Sequence, residues 1–85
     1  MTDQEFDVLD ELYFLQSFSS LEKALKINGD ELSGILQILI EKGWVRCFSN
    51  PVQELKYDKG RYQKEYRNYY YLASKEGLLA HNSNF

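Results

Sequence analysis

An 85-residue chain with 44% apolar and 27% charged residues holds one small globular domain, taken here as residues 1–85. Its 15% aromatic content and formal charge of −3 exclude disorder over the whole length, and no apolar run approaches the roughly 20 residues of a membrane span. The single cysteine, Cys47, rules out an internal disulfide and a cysteine-based zinc site, and the acidic start MTDQEFD is unlike a secretory signal. A cytoplasmic binding module without cofactor or metal is the expectation. Charge is unevenly divided: residues 1–31 carry eight acids against Lys23 and Lys26, whereas residues 32–85 carry eight bases and five acids. One small domain with that asymmetry presents an acidic side and a basic side.

In chain order, Phe6, Leu9, Leu12 and Tyr13 recur at helical spacing, with Val8 and Leu15 widening the stripe, and predict a helix over 3–16 capped by Thr2 or Asp3. Ser19 or Ser20 caps a short second helix over 20–26, with Leu21, Ala24 and Leu25 on one side. Asn28-Gly29-Asp30 marks a turn and supplies the cap of a third helix, 30–42, which Gly43 ends in a left-handed conformation. The hydrophobic period then falls from helical to two. Strands follow at 44–48 and 69–73, and Ser74 caps a closing helix over 75–80. Residues 49–68 connect the strands, with Val52, Leu55 and Tyr57 extending the hairpin.

This order resembles the winged helix-turn-helix family, which regulates transcription in many bacteria. The stretch from Leu32 to Arg46, with inward leucines before a glycine, a hydrophobic pair and a base, is similar to that family's third helix and the strand after it. Tyr70-Tyr71-Leu72-Ala73-Ser74-Lys75-Glu76-Gly77 is similar to its last strand and following turn. The resemblance implies an α+β, mostly helical fold: a three-helix winged-helix domain with a two- or three-stranded antiparallel wing and a short C-terminal helix.

It also implies double-stranded DNA as partner, with the third helix in the major groove. Carried onto this chain, Leu32, Leu36 and Leu39 face inward, with Ile35 and Ile40 on the flanks. Ser33 and Gln37 become the candidate base readers. Asp30 and Glu31 oppose this docking, because they would meet phosphate at the N-terminal end of the helix, and the helix carries no base before Lys42. The positive case lies in the wing. Lys56, Lys59, Arg61, Lys64 and Arg67 can line a phosphate backbone, and Arg61 beside Gly60 can reach a minor groove from a hairpin tip. Alternatively, these bases are only solvated, and Tyr57, Tyr62 and Tyr66 pack the wing onto the body.

A protein–protein module that does not bind DNA is the rival reading. The third helix is apolar nearly all round, so Ile35 and Ile38 are candidate contacts with a protein partner or a second copy. If Val45, Cys47, Tyr70 and Leu72 face the core, then Trp44, Tyr69 and Tyr71 share the other face and complete a homodimer or partner patch. The alternative has the wing or the C-terminal tail, including Phe85, covering those rings. Catalysis has no support: the lone His81 sits near the end of the sequence, the glycines are scattered, and no small-molecule substrate is implied.

Overall fold

In the computed structural model, which describes residues 1–83, helices and a four-stranded antiparallel sheet enclose one hydrophobic core. Helix α1 spans Asp3–Glu11, strand β1 Gln16–Ser17, helix α2 Phe18–Leu25 and helix α3 Gly29–Glu41. Strands β2 (Val45–Asn50) and β3 (Gln53–Leu55) form a hairpin; helix α4 (Lys59–Glu65) and a 3-10 turn (Tyr66–Asn68) lead into β4 (Tyr70–Ala73) and helix α5 (Lys75–Asn82). The strand order is β1-β4-β2-β3. No helix among the described residues is long and apolar enough to cross a membrane.

Local chemistry sets most boundaries. Thr2 and Glu5 form a capping box at α1: the Glu5 amide donates to Thr2 Oγ1 at 3.0 Å and the Thr2 amide to Glu5 Oε1 at 2.8 Å. Asn28 accepts the Glu31 amide at 2.8 Å and starts α3. At its far end Gly43 takes φ +81°, the Gly43 amide bonds Ile40 O at 2.9 Å and the Trp44 amide bonds Leu39 O at 2.9 Å. This is a Schellman ending, and it turns the chain from α3 into β2. Leu32, Leu36 and Leu39 lie fully inside, joined by Val8, Leu9, Leu12, Phe18 and Leu21.

Several expectations are corrected. Helix α1 stops at Glu11 rather than residue 16, because Gln16 and Ser17 leave to pair with Tyr71 and Tyr70 of β4. The Ala73 amide also claims the Leu12 carbonyl at 2.9 Å, so a sheet edge overrides helical propensity. Ser17, not Ser19 or Ser20, caps α2. In the sheet, Val45 pairs with Ala73 and Cys47 with Tyr71. Paired residues point to one face, so Tyr71 and Ala73 line the core while Tyr70 and Leu72 are half-buried on the other side. The expected faces of β4 are therefore exchanged: Tyr71 is wholly buried, with its hydroxyl donating to Tyr66 O, and Tyr69 is buried as well. No polar residue marks a face in a strand this aromatic, so alternation alone could not set its phase. Phe85 lies outside the described residues.

His81 joins the two ends of the chain. It is buried between α1 and α5, stacks on Phe6 with ring centroids 4.1 Å apart, and has its Nδ1 2.8 Å from the Tyr13 hydroxyl. Its Nε2 lies 3.3 Å from Asp10 Oδ1. The C-terminal helix is thereby locked to the N-terminal one. At its other end α5 meets the α3–β2 turn: the Ser74 amide donates to Trp44 O at 2.9 Å and Ser74 Oγ to Gly43 O at 2.6 Å.

Two outcomes follow. A Cβ at Gly77 would fall on the Trp44 carbonyl oxygen, which is backbone and cannot swing aside. Gly77→Ala is expected to lower the denaturation free energy by about 1–3 kcal/mol, read from urea unfolding curves. Burial alone would raise the Glu5 carboxyl, but the Thr2 backbone amide and Lys42 Nζ, 2.9 Å away, outweigh it and hold Glu5 below its ordinary value. A lowered folded value means its contribution is complete above the ordinary carboxylate range and is lost as pH falls through the lowered one. Glu5→Gln therefore loses less stability than the native protein between neutral and strongly acid pH, measured by the same curves.

Candidate nucleic-acid interface

The segment after the hairpin decides which side chains a nucleic acid can reach. The expected wing over 49–68 is only partly a hairpin: its tip is Pro51–Val52, and α4 replaces its second half. Asp58 caps α4 by accepting the Arg61 amide at 3.1 Å. Tyr62 and Tyr66, four residues apart, turn one side of it inward. Asp58 followed by tyrosines at that spacing is the sequence signal for this helix, and the density of bases hid it. Arg61 is accordingly on a helix and not at a hairpin tip, which removes the expected minor-groove approach.

Segment 57–62 packs on the outward face of α3. The Tyr62 hydroxyl donates to the Ser33 carbonyl at 2.7 Å, and burial pushes that phenol far up. The Gln37 amide donates to the Tyr57 hydroxyl at 2.9 Å, and Tyr57 donates in turn to Glu41 Oε2 at 2.8 Å. Desolvation raises the Tyr57 phenol, and the Glu41 carboxylate adds to that. Ser33 Oγ donates to Asp30 O at 2.9 Å. Both candidate base readers, Ser33 and Gln37, are thus held by the chain itself. What remains exposed on α3 and its C-cap is Asp30, Glu31, Gly34, Ile38, Glu41 and, at the cap, Lys42. Phosphate would meet three carboxylates there, so the expected docking of α3 in a major groove is unsupported.

The five wing bases separate. Lys56, Lys59, Arg61 and Lys64 are exposed and enter no ion pair among the described residues; Arg61, Lys64 and Gly60 border a shallow cleft with Asp58 and Glu65. Arg67 instead folds back over α2. Its guanidinium lies 5.4 Å from the Phe18 ring and 5.5 Å from the Tyr66 ring, and 3.6 Å from Glu22 Oε2. On the hairpin, Arg46 is held by Glu54 through two bonds of 3.1 and 2.7 Å, which raises the Arg46 guanidinium and lowers the Glu54 carboxyl. Within residues 45–67 the free positive charge therefore lies on α4 and its approach, not on the hairpin.

The expected partner patch also divides. Ile35, Tyr69 and Tyr71 are buried and available to no partner. Trp44 is half-buried under Lys42, whose Nζ is 4.7 Å from the ring centroid, and does not share a face with them. Ile38 alone keeps half its surface in solvent, at 50%. Cys47 is buried, and burial raises its thiol above the ordinary value. Among the described residues no group of three or more His, Cys, Asp or Glu is placed to hold a metal.

Helices α1, α2 and α3, a β-hairpin and a sheet closed by β1 and β4 make this a winged-helix domain. Comparison with protein-family models yields no match, and neither does comparison with curated proteins. Among solved structures, a protein described as "Multiple Antibiotic Resistance Repressor, MarR" superposes with a TM-score of 0.75 at 21% identity, over 98% of this chain. The chain spans 53% of that protein, and the likeness confirms the winged-helix fold.

Arg67 and Arg61 differ in one measurable way. Arg67→Ala is expected to cost about 0.5–1 kcal/mol through its lost ring and carboxylate contacts. Arg61→Ala, by contrast, leaves the denaturation midpoint unchanged.

Proposed function

We propose that this chain is a winged-helix regulator of transcription, acting in the cytoplasm, that holds duplex DNA by its phosphates through Lys56, Lys59, Arg61 and Lys64. The observation that carries the reading is the unpaired positive charge of α4 and its approach, on a fold shared with a protein described as a repressor. Such contacts fix position on the duplex and carry no sequence information. Each neutralised phosphate releases counterions, so affinity falls steeply with salt. Because Ser33 and Gln37 are engaged within the chain, sequence preference on this reading comes from DNA shape rather than from base edges.

One observation favours the rival, a protein-interaction module without DNA: α3 offers Asp30, Glu31 and Glu41 where a winged helix would approach phosphate. The two readings separate on a fluorescence-anisotropy titration with pooled duplex DNA at several salt concentrations. Replacing Lys59, Arg61 and Lys64 together by Ala is expected to weaken binding equally on all sequences. The slope of log affinity against log salt should drop by about three, roughly one for each phosphate contact. If the native protein does not bind at low salt, the DNA reading is wrong and the rival stands.

A further inference from the structure

We propose that the tip of the β2–β3 hairpin, Pro51–Val52, is an apolar wedge that opens a base step from the minor groove and bends the duplex. The proposal rests on the DNA reading, but it concerns none of the bases that carry that reading.

The chemistry of the tip has no cause within the chain. A two-residue hairpin turn favours Asn-Gly or Asp-Gly, whose positive φ matches the twist of the strands. Here the turn is Pro51–Val52, and neither residue has a positive φ. Val52 is 93% exposed, more than any other exposed large apolar side chain among the described residues. The backbone around it is stiff. Pro51 fixes its own φ, the Val52 amide donates to Asn50 Oδ1 at 3.0 Å, and the pairing register shifts between Phe48 and Asn50. Below the tip, the two Arg46–Glu54 bonds tie one strand to the other. Residues 47–53 carry no charge, and Ser49, Asn50 and Gln53 stand exposed beside the apolar pair.

That combination fits a duplex better than other partners. A lipid surface binds in proportion to buried apolar area, of which one valine and one proline offer little. Protein interfaces are anchored by Trp, Tyr and Arg, with valine under-represented. Between two base pairs, a small apolar side chain unstacks the step and kinks the helix. The residues behind the tip suit the same groove. Asn50 and Gln53 carry amide N–H donors, and the minor-groove edge of an A·T pair presents only acceptors. The Val52 amide already takes Asn50 Oδ1, which leaves Asn50 Nδ2 as the group available to a base. The groove is about 7.5 Å deep, a depth that two to three strand residues span at roughly 3.3 Å each. With Val52 at its floor, Lys56 beyond β3 comes to the phosphate rim. Two strands about 4.8 Å apart, with their side chains, overfill a groove about 6 Å wide. Entry therefore widens the groove and favours steps that unstack easily, such as TA or CA/TG.

A duplex with a central TA step and a donor and an acceptor dye at its ends tests this on the full chain. Fluorescence anisotropy reads binding, and energy transfer between the ends reads bending. The native protein is expected to bend the saturated duplex by roughly 20–90°. Val52→Ser should leave it straight and bind about tenfold more weakly, the equivalent of losing one buried aliphatic group. The salt slope of that variant should match the native one, because no phosphate contact is lost. Val52→Ile should keep the bend, and both variants should keep the native thermal midpoint. Binding without a change in end-to-end distance overturns the wedge and leaves the DNA reading standing, as does a Val52→Ser that bends the duplex as the native does. Either result includes the case in which Val52 serves a protein or a lipid surface. A native protein that binds no duplex at low salt overturns both readings.

Discussion

The turn at Gly43–Trp44 is the constraint on which the rest of this small domain depends. There the α3 helix ends, the chain reverses into β2, and the two carbonyls of the turn are both taken by Ser74 at the start of α5. Gly77 lets α5 lie directly on the Trp44 carbonyl. Helix, sheet and C-terminal helix therefore share one junction a few residues across. A domain of this size buries only about 60% of its unfolded surface, so a shared junction that aligns three elements substitutes for a deep core. His81, clasped by Phe6, Tyr13 and Asp10, closes the same α5 helix against α1 at its other end.

From that junction the hairpin and α4 are laid beside α3, and their placement divides the chemistry. Tyrosines, not bases, meet α3: Tyr62 takes the Ser33 carbonyl and Tyr57 bridges Gln37 and Glu41. Satisfying these polar groups inside the chain stabilises the cover, and it withdraws the side chains that would read base edges. The bases that remain available are those α4 cannot turn inward, because Tyr62 and Tyr66 already occupy its inner side. Arg67, one turn beyond, is drawn to aromatic rings and Glu22 instead of solvent. A cluster of five bases in sequence becomes four solvent-facing ones and one structural one in space.

The charge asymmetry of the sequence thus has a spatial form without being a simple two-sided map. Acids of α1 and the exposed ridge of α3 lie together, linked by the Gln4–Glu31 contact, while Lys59, Arg61 and Lys64 stand exposed on α4 along the other flank of α3. Between them runs the Gly34–Ile38 ridge, neither basic nor paired within the chain. An acidic, apolar ridge and a basic helix suit different partners. A protein surface fits the first and phosphate the second, and the fold keeps them on separate elements.

Hydrophobic spacing in the sequence determined the presence of three helices in the body and the inward leucines of α3, and polar and glycine residues marked the caps at Asn28 and Ser74, a cap at Thr2 or Asp3, and the left-handed glycine after α3. These are local quantities, decided within a turn or two of chain, and the winged-helix resemblance followed from their order. Tertiary structure decided the rest. The phase of β4 depends on which strand it pairs with, since Tyr69, Tyr70 and Tyr71 look alike until Cys47 takes Tyr71 as partner. The early end of α1 depends on a sheet edge more than fifty residues away in sequence. The fate of each base depends on which partners the fold brings to it: Arg67 and Arg46 gain rings or a carboxylate, while Arg61 enters no ion pair and no cation–ring contact among the described residues. Sequence carries the strength of local preferences, but long-range pairing chooses among near-equal alternatives, and the functional surface of this protein is built from those choices.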